Sequence, residues 1–315
     1  SKTLYAAVLA AALGASATAV AQSPVLLQNF NTRNWSDSYS GSSSAFAQIG
    51  TNAFITFTTK EHGNELWKYD INPTNPTPLT WLTENLFPGS HTHVGNPRDH
   101  ITFTASSGAY AGQQLVYFTA WDVTNGRELY RTDGTPGGTW IVADIIPGNP
   151  QGGPYDSSAP TYLFIHQGWL FFLYDDAGYT GPNHAGSPSL GAWLWRTDGD
   201  LVTNPCAPTA MATFGGQVEY VSAPSALYMS IGGGASIWTP PPPAELWALT
   251  LGATPAADTL TNVDPTVANI QGMCTLGSNI YFAAEDQVAS VGLELYQSNG
   301  TTITLAYDGQ PGVTG

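Results

Sequence analysis

Short apolar strands separated by turn residues organise this chain. Before each of five similar segments lies an apolar run: Ala53–Thr58, Leu115–Trp121, Trp169–Tyr174, Ala235–Trp238 and Asn279–Ala284. The segments themselves are Glu65-Leu66-Trp67, Glu128-Leu129-Tyr130, Trp193-Leu194-Trp195, Glu245-Leu246-Trp247 and Glu294-Leu295-Tyr296. Turn residues follow three of them: Asp133-Gly134, Asp198-Gly199 and Asn299-Gly300. Such pairs supply the positive φ angles of a tight type I′ hairpin. Each segment therefore reads as a strand entering a hairpin, with Trp140–Ile146 and Ile303–Asp308 as examples of the strand leaving it. A further strand opens each unit, as in Ala159–Phe164 and its echo Ala223–Tyr228. The units thus hold four strands each, over roughly 45–95, 96–155, 156–220, 221–268 and 269–312.

A four-stranded sheet of this size cannot bury both faces alone, whereas several copies packed face to face can. The expected fold is therefore all-β, a β-propeller of about five four-stranded blades. A two-sheet sandwich leaves the repeated four-strand unit unexplained. Long helices are disfavoured by 34 Gly and 23 Pro.

Residues 126–135, Gly-Arg-Glu-Leu-Tyr-Arg-Thr-Asp-Gly-Thr, resemble the ELWxxDGT-repeat family, as does their continuation through Asp144-Ile145 and Pro147-Gly148. The resemblance is good in three copies. Lys68-Tyr69-Asp70 replaces the turn in the first, Trp193 replaces Glu in the third, and Ala248-Leu249-Thr250 replaces the turn in the fourth. It implies tandem repeats in exported or surface bacterial proteins of propeller-like fold, and it carries no catalytic residue.

The N-terminus reads as an address. Lys2 precedes an apolar run, Leu4–Leu13, and Ala19-Val20-Ala21 fits signal peptidase. Residues 1–21 form the expected signal peptide, and the mature chain is expected to be secreted or at the cell surface. No later segment reaches the about 18 apolar residues of a membrane span. Cys206 and Cys274, absent from any C-x-x-C, are open to pairing as a disulfide or to standing as two thiols.

Charge narrows the partners. Eight basic residues face 23 acidic ones, a net −15, which disfavours nucleic acid. A surface glycan or another extracellular protein is the expected partner, and Trp35, Trp121 and Trp238 are candidates for stacking on sugar rings.

Candidate chemistry is sparse. Glu65, Glu128, Glu245 and Glu294 recur once per unit, as structural residues do, with Leu129 expected in the core and Glu128 exposed on its strand, and Asp133 and Asp198 sit where a turn wants them. A sialidase-type Asp-box fails on spacing, because Gly134 directly follows Asp133. Glu61, Glu84, Glu219, Glu285, Asp175-Asp176 and Glu285-Asp286 are non-repeated acids, read as loop surface unless two oppose each other across a cleft. His91, His93, Asp99 and His100 form the one histidine cluster, a weak zinc site. Calcium suits the acidic charge, but no D-x-D-x-D-G loop is present. No catalytic residue and no cofactor are assigned. The leading expectation is a binding, adhesion or scaffolding module, with a rim-cleft hydrolase acting on polysaccharide or glycoconjugate as the alternative. Strand counting adds an expectation of at least one further blade encoded downstream, since Ser23–Phe30 resembles a last strand and the fifth unit already owns its own.

Overall fold

A computed structural model describes residues 46–59, 62–72, 74, 79–83, 86, 97–122, 124–145, 160–175, 192–200, 202–203, 219–231, 243–252, 257–287 and 291–309. All lie in one compact unit, Asp37–Gly315. They form twenty strands and one short 3₁₀ turn, Gly108–Tyr110.

The strands fall into five antiparallel meanders. The first sheet is β1 (Ala47–Ile49), β2 (Asn52–Thr59), β3 (Gly63–Asp70) and β4 (Leu79–Trp81). The second is β5 (Arg98–Thr104), β6 (Gln114–Asp122), β7 (Gly126–Thr132) and β8 (Thr139–Ala143). The third is β9 (Thr161–His166), β10 (Trp169–Asp175), β11 (Ala192–Thr197) and β12 (Val202–Thr203). The fourth is β13 (Glu219–Ser222), β14 (Leu227–Ile231), β15 (Glu245–Thr250) and β16 (Thr259–Asn262). The fifth is β17 (Val267–Leu276), β18 (Asn279–Asp286), β19 (Val291–Ser298) and β20 (Ile303–Tyr307), bridged to the fourth at Glu245↔Ala268.

Every core cluster joins consecutive sheets. Phe54 and Leu66 of the first pack with Phe118 and Tyr130 of the second. Leu129 meets Phe172 of the third. Phe171 and Leu194 meet Leu227 and Met229 of the fourth. Leu246 meets Phe282 and Tyr296 of the fifth. A sheet covered on both faces needs no polar side, so β7 is buried almost throughout. Serial face-to-face packing of four-stranded meanders is β-propeller blade architecture.

A rule of facing follows from strand alternation. The repeat leucine points to the next sheet, and the aromatic after it points to the preceding one. Leu66, Leu129, Leu194 and Leu246 are all fully buried.

Three sequence expectations need correction. The connections from third to fourth strand are not two-residue type I′ turns. In the second sheet the connection runs 133–138, and Gly134 and Gly137 have positive φ while Asp133 does not. The Asp side chain instead folds the loop locally: Asp133 Oδ1 accepts from Thr135 N at 2.8 Å and from Thr135 Oγ1 at 2.7 Å, and Asn299 does the same with Thr301. Second, the strand paired before Glu245 is Leu227–Ile231, with Glu219–Ser222 outside it. The match of Ala223–Tyr228 to Ala159–Phe164 was therefore one strand out of step, and Ala235–Trp238 lies outside the described residues. Third, Glu128 is not an exposed strand residue but fully buried.

Candidate binding site

The repeated residues are committed to the fold. Glu65 accepts a hydrogen bond from Thr83 Oγ1, whose oxygen in turn accepts from Leu66 N. Glu128 Oε2 accepts from Ile145 N at 3.3 Å, Glu245 Oε2 from Asn262 Nδ2 at 2.7 Å, and Glu294 Oε2 from Gly309 N at 2.6 Å. Each donor lies at the end of the fourth strand or just beyond it, so the Glu clips the chain as it leaves the sheet. The cation after the aromatic reaches the next sheet. Lys68 Nζ donates to Gly134 O at 2.6 Å, Arg131 donates to Gly199 O and pairs with Asp200 at 3.1 Å, and Arg196 pairs with Asp258 at 3.0 Å.

The histidine cluster divides. His91 and His93 lie outside the described residues. His100 is buried, with Nε2 2.9 Å from Thr56 Oγ1, and so links the first two sheets. Among the described residues no group of three His, Cys, Asp or Glu could hold a metal ion. Cys274 is a free, exposed thiol, and Cys206 lies outside the described residues, as do the signal segment, Trp35, Trp238, Glu61, Glu84 and Asp176.

One non-repeated cluster combines charge with an aromatic face. It is built on the start of β5, the end of β6 and the start of β7. The β5–β6 register slips between Arg98 and Ile101, a bulge, and Asp99 sits there at φ 54°. Aspartate tolerates that left-handed conformation better than most residues, and bulges re-aim side chains. Cross-strand pairing sets Arg98 opposite Thr119 and Trp121 opposite Arg127. The Arg127 guanidinium lies over the Trp121 ring, 5.7 Å from its centre, and donates to Thr119 Oγ1 at 3.4 Å. Arg98 is exposed, Asp99 and Trp121 are half-buried, and Arg127 is buried.

The electrostatics follow from burial. Burial brings the Arg127 guanidinium down to about 10, helped by repulsion from Arg98 and opposed by Asp99. It therefore stays cationic at neutral pH. Burial raises the Asp99 carboxyl, while Arg98 and Arg127 pull it back down. Two guanidiniums around one carboxylate, beside an indole edge, can take an anionic group and a flat apolar ring together. Sequence reading picked out Trp121 and Asp99 separately. Their union with Arg98 and Arg127 depends on strand register, which no local motif announces.

A second ionisable group stands apart. Asp144 is exposed, and partial desolvation together with the charge of Asp122 raises its carboxyl above the ordinary range. Asp122 itself is engaged: its oxygens accept from Thr124 N, Asn125 N, Asn125 Nδ2 and Tyr130 Oη.

No family model and no curated protein match the chain. Among solved structures it is similar to the tricorn protease, with 12% identity over 84% of this chain and 22% of that one, TM-score 0.36. It is also similar to the β-propeller domain of the Trilobed protease from Pyrococcus furiosus, with 8% identity over 82% and 68%, TM-score 0.40. A third similar structure is an α-L-arabinofuranosidase from Clostridium thermocellum, with 13% identity over 71% and 73%, TM-score 0.32. The chain thus spans under a quarter of the tricorn protease. The propeller arrangement stands on the pairing and packing of its own five sheets.

Proposed function

We propose that this chain is an exported propeller of ELWxxDGT-repeat type that acts as a binding module for acidic glycans. The observation that carries this reading is the Arg127 guanidinium held over Trp121 beside exposed Arg98. The half-buried indole offers an apolar surface for a sugar ring, and a guanidinium fork suits a carboxylate or sulfate. The cluster is cationic within a chain of net charge −15, so it is set apart from the surrounding field. Its residues do not recur in the other sheets, as expected of a site grafted on a repeat scaffold.

The test is a glycan array followed by titration calorimetry with the strongest binder. Trp121→Ala and Arg98→Ala should each weaken binding at least tenfold, and Arg98→Ala, at an exposed residue, should leave the melting temperature unchanged. Binding indifferent to both substitutions sinks the assignment.

Turnover on a polysaccharide or glycoconjugate panel would instead favour a hydrolase over the binding module.

A further inference from the structure

We propose that the free face of the fifth sheet is an interaction surface whose occupant is another four-stranded sheet of this same repeat, set after the fifth. The reasoning starts from the four interior junctions. In each, the repeat leucine is fully buried against the following sheet. Leu295 occupies that position in the fifth sheet and is 41% exposed. Tyr307, paired with Leu295 across β19–β20, is 67% exposed, and Leu293, two residues earlier on the same face, is 48% exposed. The opposite face of the same strand is closed, because Tyr296 packs into the core shared with the fourth sheet. A protein rarely leaves such a patch to water without a partner.

The interior junctions also state what the partner must look like. An aromatic of the second strand stands beside the residue two after the leucine: Phe54↔Lys68, Tyr117↔Arg131, Phe171↔Arg196 and Tyr228↔Ala248. In three junctions a turn glycine of the next sheet lies against that side chain, Gly134 at the Phe54 ring and Gly199 and Gly300 at the hydroxyl ends of Tyr117 and Tyr228. The fifth sheet presents the same pair, Tyr281↔Gln297, and none of the described glycines rests on it. The occupant should therefore bring a turn glycine to Tyr281 and an aromatic side to Leu295. The chain's own first sheet cannot supply that glycine, because its third-to-fourth connection, residues 71–78, contains none, although the junction at Phe171 packs with no described glycine on the ring.

Two measurements test this. On residues 1–315, Leu295→Asp should leave the urea midpoint unchanged while Leu129→Asp unfolds the protein. Cys274, paired with Tyr281 on the open face, should react with a maleimide at the rate of a free peptide thiol, read by peptide mapping. Unfolding by Leu295→Asp overturns the proposal, because the face would then already be covered. Cys274 protection that grows with protein concentration also overturns it, because a second copy would be the occupant. In the second measurement, a copy of residues 97–145 is joined after residue 315 by a flexible linker. It should slow Cys274 labelling at least tenfold, and Val at the copied turn glycine, Gly134, should restore the rate. A folded fusion whose Cys274 stays fully reactive refutes the glycine-turn occupant.

Discussion

Gly134 shows how one residue couples a turn to a neighbouring sheet. Its φ is 80°, and a Cβ built on it would come within 2.9 Å of the Phe54 ring. Gly137 in the same loop has φ 76° but open space around it. The two separate backbone strain from contact. Gly137→Ala should cost about 1 kcal/mol, the left-handed penalty alone. Gly134→Val adds overpacking and should cost about 2–5 kcal/mol in urea unfolding. Equal costs would show that the ring contact is dispensable. Leu129 and Glu128 make a second pair. Leu129→Ala should cost about 2–5 kcal/mol by cavity formation. Glu128→Ala should cost about 1–3 kcal/mol, because the buried Ile145 N–H loses its acceptor. An exposed Glu would have cost almost nothing, so a neutral Glu128→Ala melt would contradict its burial.

At the scale of elements, cations stitch sheet to sheet. Arg196 and Asp258 are a fully buried pair, and Arg196 also stacks on Trp169 at 4.0 Å. Breaking such a pair on one side leaves a charge with no compensation. Arg196→Met should therefore destabilise by about 3–5 kcal/mol. The double change Arg196→Met with Asp258→Leu should recover most of that, since an apolar contact of similar volume replaces both charges. If the double variant is no better than the single one, the loss is packing on Trp169 and not stranded charge. The cation was visible in sequence as Arg131 and Arg196 at the same repeat position. Its acceptor was not, because Asp258 lies in a third-to-fourth connection that differs in length and sequence from the one holding Asp200, the partner of Arg131.

Across the whole molecule, the first strands of adjacent sheets are tied through polar side chains. His166 is buried, its Nδ1 is 2.8 Å from Ser222 Oγ, and Gln167 Nε2 donates to Pro224 O. Burial lowers the His166 pKa below its ordinary 6.5. The unfolded chain then binds a proton near pH 6.5 that the native chain refuses. The contribution of His166 to stability is full above about pH 6.5 and falls as the pH drops toward the depressed native value. Urea melts between pH 7.5 and 5 should show wild type losing stability faster than His166→Gln. Parallel curves would mean that His166 is hydrated in the native state.

The sequence by itself determined the all-β class, the four-strand unit and the alternation that sends leucine and aromatic to opposite sides. These are local consequences of periodicity and turn chemistry, written within a few residues of each other. It also placed β2, β6, β10 and β18 nearly to the residue. The tertiary structure alone decided which sheet each side faces, and thereby why Glu128 is buried and why Leu295 is not. It alone set Arg98, Asp99, Trp121 and Arg127 together, because a bulge shifts register by an amount that no composition encodes. The fourth unit was misaligned by a strand for the same reason. Ala223-Pro224 and Ala159-Pro160 are alike as short words, but backbone pairing, a long-range property, fixes which strand follows them.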